Sequence, residues 1–265
     1  MKRPIGVFDS GIGGLSILKA LRAELPQEDF VYVADSGHAP YGERDDRYVV
    51  ARARSISAYL VAQHKIQALV VACNTATAAS IDLLRQQYPG LAVIGVEPAL
   101  KPALAHSQTR RIGVLATRGT LASAKFQTLL ASLADQADFL CQPCDGLAEV
   151  IEHQDTTQII ALCASCTEAL GQFGINPGQI DTLVLGCTHY PFARDALAQL
   201  LGPQIKLVDN GEPVARQTHR RLPALSSNCT AGGRCLLLSS GGGDSLQQAA
   251  QRWLGLDGRV KAISI

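Results

Sequence analysis

Net charge is the first thing this chain has little of. Across 265 residues, 24 basic and 23 acidic side chains leave a formal balance of +1. A dedicated nucleic-acid surface would show a clustered basic excess, so that class is disfavoured. Long apolar runs are missing too. Gly, Pro and charged residues interrupt every one, well short of the ~20 residues that a membrane span needs. The opening "MKRPIGVFDSGIGG" has two basic residues but no apolar segment behind them, so it does not read as a secretory signal. What is present is material for a core: 47% of residues are hydrophobic and 18% charged. The chain therefore reads as a cytoplasmic globular protein with one large domain or two smaller ones.

Two cofactor signatures are also incomplete. Asp9-Ser10-Gly11-Ile12-Gly13-Gly14 follows an apolar run and precedes helical spacing, as a phosphate loop would. It lacks Gly-Lys-Ser/Thr, and Ser16 stands where G-x-G-x-x-G needs its last glycine,. A tight strand–helix turn accounts for the glycines, and its helix N-terminus can hold an anionic group. It does not account for Asp9, an acidic group at a strand end, which suits a proton relay or an ammonium contact. None of the seven lysines stands beside a Gly/Ser-rich cup, so nothing suggests a pyridoxal phosphate site.

Short apolar runs alternate with helical spacing along the whole chain, the pattern of a mostly parallel α/β sheet. Strands are expected at Ile5–Phe8, Phe30–Val33, Leu69–Ala72, Ala92–Val96, Arg111–Ala116, Asp138–Cys141, Leu183–Gly186, Ile205–Val208, Cys235–Leu238 and Val260–Ile265. Helices are expected at Leu15–Leu25, Tyr48–His64, Thr77–Tyr88, Ser123–Leu133, Thr156–Gly171, Phe192–Leu201 and Asp244–Leu254, with a turn-rich surface loop at Pro223–Gly233. An internal repeat runs through this order. "IGVFDSGIGG" at Ile5 resembles "IGVLATRGTL" at Ile112, and "LVVACNTAT" ending its strand at Cys73 resembles "LVLGCTHYP" ending at Cys187. Two similar α/β units facing each other would place their strand C-termini around a shared cleft, where open α/β sheets bind ligands.

Eight cysteines are present: Cys73, Cys141, Cys144, Cys163, Cys166, Cys187, Cys229 and Cys235. Cys73 and Cys187 both stand where an expected strand gives way to an expected helix. A thiolate there is stabilised by unpaired N–H groups and the helix dipole. The bland alternative is a buried small hydrophobe. Matching contexts with polar neighbours favour chemistry, with His189 placed to orient the second thiol. One thiol from each of two facing units suits proton removal from one face of a carbon and redelivery to the other, a racemase or epimerase design. The pairs Cys141/Cys144 and Cys163/Cys166 have eighteen residues between them, which fits a four-cysteine zinc site. The second pair falls inside helical spacing with Ile159, Leu162 and Leu170, so it reads as core, and no metal is expected. Pro40-Tyr41-Gly42 is a turn by composition, with Tyr41 a candidate carboxylate donor.

Taken together, "DSGIGG" at Asp9–Gly14, "PYG" at Pro40–Gly42, "ACNTA" at Ala72–Ala76, "GVEPA" at Gly95–Ala99, "GCTHYP" at Gly186–Pro191 and "DNG" at Asp209–Gly211 resemble the bacterial glutamate racemases. The resemblance implies two pseudosymmetric flavodoxin-like α/β domains with mostly parallel sheets and an active-site cleft between them. The first would hold residues 1–97 plus 209–265, with Asp9 and Cys73; the second would hold 98–208, with Cys187 and His189. It implies cofactor-independent interconversion of L- and D-glutamate for peptidoglycan, with Cys73 and Cys187 as the two acid–base groups. Asp9-Ser10, Tyr41-Gly42, Asn74-Thr75 and Thr188-His189 match the family's substrate-contacting pairs, with Asp9 and His189 also assisting the thiols. Thr117 and Thr120 in "ATRGT" match a carboxylate-contacting position. Glu152 falls where the family has an acidic residue beside the second cysteine, although "CDGLAEVIE" departs from the usual proline-containing run. The resemblance also implies a tendency to form homodimers and a location in the cytoplasm. Two other readings stay open: a racemase for aspartate or another acidic amino acid, and a non-catalytic two-lobed amino-acid-binding module, which would have no use for paired thiols.

Overall fold

The computed structural model describes residues 3–222 and 232–265. Cys229 and most of the expected loop at Pro223–Gly233 lie outside the described residues. The chain divides into two compact units, one holding Met1–Val96 and Gly211–Ile265, the other Glu97–Asn210.

The first unit runs β1 (Ile5–Asp9), α1 (Leu15–Glu24), β2 (Phe30–Ala34), α2 (Asp46–His64), β3 (Ala68–Val71), α3 (Asn74–Gln87) and β4 (Ala92–Gly95). The second runs α4 (Leu100–His106), β5 (Arg111–Ala116), α5 (Arg118–Ala122), α6 (Ala124–Ala131), β6 (Asp138–Pro143), α7 (Leu147–Glu152), α8 (Thr156–Leu170), β7 (Thr182–Leu185), α9 (Arg194–Leu201) and β8 (Lys206–Val208). The chain then returns to the first unit with α10 (Gly211–Arg221), β9 (Cys235–Ser239), α11 (Asp244–Leu254) and β10 (Lys261–Ala262). The expected last strand, Val260–Ile265, shrinks to two residues that pair with the end of β9. Charged and glycine residues on its N-terminal side, Asp257-Gly258-Arg259, leave little apolar surface to bury.

Among the described residues every strand pairing is parallel. The first sheet has the order β10-β9-β2-β1-β3-β4, and the second β6-β5-β7-β8. Both faces of a parallel sheet are covered by crossover helices, so its central strands are apolar at every position; β1, β2 and β3 are buried throughout. Side chains alternate across a strand. Phe8, Val31, Val33, Leu69 and Val71 meet Val49, Ile56, Leu60, Ile81 and Leu84 of α2 and α3. Their neighbours Val7, Tyr32 and Val70 are buried on the opposite face. In the second unit Ile112, Val114 and Val184 pack against Leu100, Ala103 and Phe126. Burying each such side chain contributes about 1.5–3 kcal/mol.

The lower edge of the second sheet is pinned by one buried carboxylate. Asp181, just before β7, accepts from Ser107 Oγ at 2.6 Å, the backbone N–H of Gln108 at 2.6 Å and of Thr109 at 2.9 Å, and Thr182 Oγ1 at 2.9 Å. Burial alone would raise its pKa, but these donors outweigh burial and hold it below the ordinary 3.8. We expect Asp181→Ala to cost about 2–4 kcal/mol in urea unfolding, because two backbone N–H groups lose their acceptor. The folded pKa is depressed. Its contribution is therefore present above the ordinary value and lost as pH falls through the folded-state pKa. The stability difference between wild type and variant should accordingly shrink in acid.

Candidate active site

In each unit the first strand lies between the second and the third, so the outgoing connections of two adjacent strands leave in opposite directions. That is the switch-point geometry at which open α/β sheets expose strand C-termini to ligands. In the first unit the two strands are β1 and β3, and the residues beyond their ends are Ser10 and Cys73.

Cys73 caps α3. Its backbone is extended (φ −135°, ψ 123°) and its Sγ accepts from the N–H of Ala76 at 3.5 Å. Ser10 Oγ lies 4.0 Å from the same sulfur. The helix start is fixed by Thr77, whose Oγ1 donates to the Val71 carbonyl at 3.1 Å and accepts from the N–H of Val96 at 3.0 Å. α3 thus begins three residues before the expected Thr77, and this brings Asn74 and Thr75 into its first turn beside the thiol. Asn74 Nδ2 reaches the Val96 carbonyl at 3.5 Å.

Asp9 is fully buried, and its Oδ2 accepts from the N–H of Gly14 at 2.7 Å and of Gly11 at 3.4 Å. The loop closes around it so tightly that a Cβ on Gly14 would sit 2.6 Å from the Asp9 Cβ and 2.8 Å from the Tyr32 hydroxyl. That hydroxyl donates to the Gly11 carbonyl at 2.6 Å. The glycines therefore serve close approach around a carboxylate.

Tyr41 begins a 3-10 turn, Tyr41–Glu43, and its ring lies in the same buried cluster as Cys73 and Ala76. Its hydroxyl donates to Asp35 Oδ2 at 2.5 Å. Burial and the neighbouring Asp35 carboxylate push the phenol pKa far above 10.0. The hydroxyl is committed to Asp35, which leaves the backbone of the turn, at Gly42, as the part that can offer an N–H to a ligand.

In the second unit the strands at the switch point are β5 and β7. Cys187 was expected at a helix N-terminus, and the structure corrects this. A turn through Thr188 and His189 and a 3-10 turn, Tyr190–Ala193, separate it from α9. Pro191 has no N–H to give an α-helical bond. The chain winds instead through the tighter bonds Tyr190 N–H to Cys187 O at 3.1 Å and Phe192 N–H to His189 O at 3.0 Å. What Cys187 lacks from a helix it finds in side chains. His189 Nδ1 lies 3.7 Å from its sulfur, and His189 Nε2 lies 2.6 Å from Glu152 Oε1 at the end of α7. Burial opposes a charge on His189, but the bonds to Cys187 and Glu152 outweigh it and raise its pKa well above 6.5. Thr188 is buried beside them.

Thr117 and Thr120 follow β5 and serve each other. Thr117 Oγ1 accepts from the N–H of Thr120 at 3.2 Å, capping α5, and donates to Thr120 Oγ1 at 2.9 Å. The Cys-x-x-Cys pairs do not converge on a metal: among the described residues no three His, Cys, Asp or Glu side chains could hold one. Cys163 and Cys166 lie on the buried face of α8. Cys144 is hydrogen-bonded to Cys166, which together with burial raises the Cys144 pKa. Burial pushes Cys141 up to about 11 and Cys163 up to about 12. Cys141, Cys144 and Cys163 therefore stay protonated and behave as small apolar groups, whereas the bond from Cys144 holds the Cys166 pKa below 9.0.

Asp35 and Arg52 were not singled out from the sequence. The signal available was the one that flagged Asp9: an acidic residue directly after an apolar strand, here "FVYVAD".

Comparison with known proteins agrees with this geometry. The profile of the Asp/Glu/hydantoin racemase family matches residues 15–218. A glutamate racemase of Ralstonia nicotianae is 48% identical over 229 residues, covering 86% of this chain and 80% of the relative. A glutamate racemase isoform from Bacillus anthracis superposes with a TM-score of 0.83 at 30% identity, over 99% of this chain and 97% of that one. The Escherichia coli glutamate racemase, solved with L-glutamate and the activator UDP-MurNAc-Ala, superposes with a TM-score of 0.84 at 28% identity, over 99% of both chains.

The His189–Glu152 bond makes a direct expectation. Glu152→Gln should move the His189 pKa down toward 6.5, as followed by imidazole NMR chemical shifts across pH. Because the folded pKa is raised, the charged imidazole adds stability that is fully present below 6.5 and lost as pH rises through the folded value. The variant should lose part of that pH dependence, the part that remains coming from Cys187, and a His189 titration unchanged by the substitution would refute the coupling.

Proposed function

The chain belongs to the Asp/Glu/hydantoin racemase family, its activity is the racemisation of glutamate, and we propose that Cys73 and Cys187 carry it out as a pair of opposed acid–base groups. The observation that supports this reading is one thiol at the switch point of each unit, each provided with a partner for a negative sulfur. For Cys73 the partners are the N–H groups at the start of α3 and the Ser10 hydroxyl. For Cys187 the partner is His189, held by Glu152.

In the proposed reaction one cysteine starts as thiolate and the other as thiol. The thiolate takes the α-proton, and the electron pair of the broken C–H bond delocalises into the α-carboxylate. The opposite thiol then delivers its own proton to the other face of the carbon. The enantiomer leaves with the two sulfurs having exchanged roles, and proton exchange with water restores the starting state. No pyridoxal phosphate takes part, so preorganised donors must stabilise the carbanion. Ser10, the Gly42 N–H, Asn74, Thr75, Thr188, Thr117 and Thr120 are the groups we assign to the substrate's carboxylates. Asp9 is assigned to the α-ammonium and to holding the glycine loop. Closure of the two units, 1–97 with 209–265 and 98–208, over the substrate would exclude water.

No helix among the described residues is long and apolar enough to cross a membrane. We place the protein in the cytoplasm, where D-glutamate would feed peptidoglycan synthesis, and expect a homodimer, measurable by sedimentation.

Two measurements test the chemistry. L-Glutamate turned over in deuterated water without added cofactor should give D-glutamate carrying solvent deuterium at the α-carbon; unlabelled product would refute proton exchange through the enzyme. Cys73→Ala and Cys187→Ala should each lower kcat at least ~10³-fold, the scale of a lost acid–base group, with unchanged far-ultraviolet circular dichroism. Racemisation retained in both directions by either variant would overturn the two-thiol reading.

A further inference from the structure

A buried polar assembly in the first unit is not explained by the chemistry above. Asp35, one residue beyond β2, is fully buried. Arg52 of α2 grips it with two bonds, Nε to Oδ2 and Nη2 to Oδ1, both at 2.9 Å. Ser240, beyond β9, donates to Oδ1 at 2.6 Å, and His38 Nδ1 lies 3.1 Å from the same oxygen. The Tyr41 hydroxyl completes the set at 2.5 Å. The third nitrogen of the guanidinium, Nη1, donates to the Ile265 backbone oxygen at 2.9 Å.

A buried ion pair is weak ground for stability, since well-packed apolar residues of the same volume often do as well. Position is what this one supplies. It ties the end of β2, the middle of α2 and the turn after β9 to the short segment carrying Tyr41 and Gly42. The Tyr41 ring in turn packs in one cluster with Cys73, Ala76 and Val71. The Asp181 cluster is comparable in its bonds but sits at the opposite, N-terminal edge of its own sheet, where it can only brace the fold.

We infer that Arg52, acting through Asp35, is a positioning residue for the reaction: it holds the Tyr41–Gly42 turn in register beside Cys73. The inference rests on the reading that Cys73 and the Gly42 N–H meet the substrate. Arg52 touches no substrate itself. Lysine would keep the charge but supply a single point donor in place of the two-pronged grip.

The test is steady-state racemisation of L- and D-glutamate by Arg52→Gln, Arg52→Lys, Tyr41→Phe and the double variant Arg52→Gln/Tyr41→Phe, with the melting temperature measured alongside. Arg52→Gln should raise KM roughly tenfold, the size of one misplaced hydrogen bond to a charged ligand group, while kcat falls by less. Arg52→Lys should lie between it and wild type. The double variant should show a KM no higher than the worse single variant, because both changes act through Asp35. Arg54→Ala, which removes an exposed arginine bonded only to Gln87 at 3.2 Å, should leave both constants unchanged. A folded Arg52→Gln with wild-type KM, or KM effects that add in full in the double variant, would overturn the inference. If Arg52→Gln fails to fold, wild-type KM in both Arg52→Lys and Tyr41→Phe does the same. Wild-type protein that fails to racemise glutamate in this assay would overturn the catalytic reading, and the positioning role with it.

Discussion

Two adjacent parallel strands whose onward connections leave in opposite directions cannot have their C-terminal ends covered by their own chain. This constraint acts twice here, between β1 and β3 and between β5 and β7, and the proposed chemistry depends on it. The central strands are buried on both faces, and the polar side chains they do carry, Asp9, Thr182 and Ser239, stand at their ends. Further polar residues stand just past a strand's end: Ser10, Asp35, Thr117 and, after one small residue each, Cys73 and Cys187. Reactive groups collect there because elsewhere along the strands a polar side chain would be buried without water.

In the proposed reaction the two thiols would reach comparable tasks by different means. Cys73 sits at the start of a fourteen-residue helix, where unpaired N–H groups are available without any side chain. Pro191 denies Cys187 that arrangement, and the His189–Glu152 pair stands in for it. A charged imidazole held by a carboxylate is a stronger and more pH-dependent partner than a helix terminus. The surroundings of Cys187 are therefore the ones whose electrostatics should respond to pH.

Much of this was legible in the sequence, and the reasons are local. Apolar runs such as Phe30–Val33 are strands because they are buried on both faces, and periodicity reports that directly. The thiols stood out because cysteine followed by small polar residues is poor material for a strand end. Helices α5 and α7, at five and six residues, were missed because they are too short to establish a period. Pro102 and Pro213 fall in the first turns of α4 and α10, where proline is tolerated, yet in a sequence they read as breaks. The bond between Tyr41 and Asp35 was out of reach for another reason. Nothing in "ADSGHAPYG" states that Arg52, in the helix that follows, returns to the same carboxylate. A turn tyrosine reads as a ligand donor in the sequence, while in the fold its hydroxyl is committed to Asp35.

The internal repeat is thus topological and not chemical. Order and crossover sense recur, and so does the cysteine, but Asp9 is answered by Ala116, Ser10 by Thr117, and Asn74-Thr75 by Thr188-His189. A substrate centre explains why the copies should have diverged. Glutamate's α-carbon carries an ammonium, a carboxylate and a longer acidic side chain, and no two-fold axis relates them. Two identical half-sites could present the same base to both faces, but they could not both bind the remaining groups. In the proposed reaction the symmetric requirement falls on the sulfurs alone, and the surrounding polar residues are free to differ. The chain retains symmetry in the cysteines and departs from it in the polar residues around them.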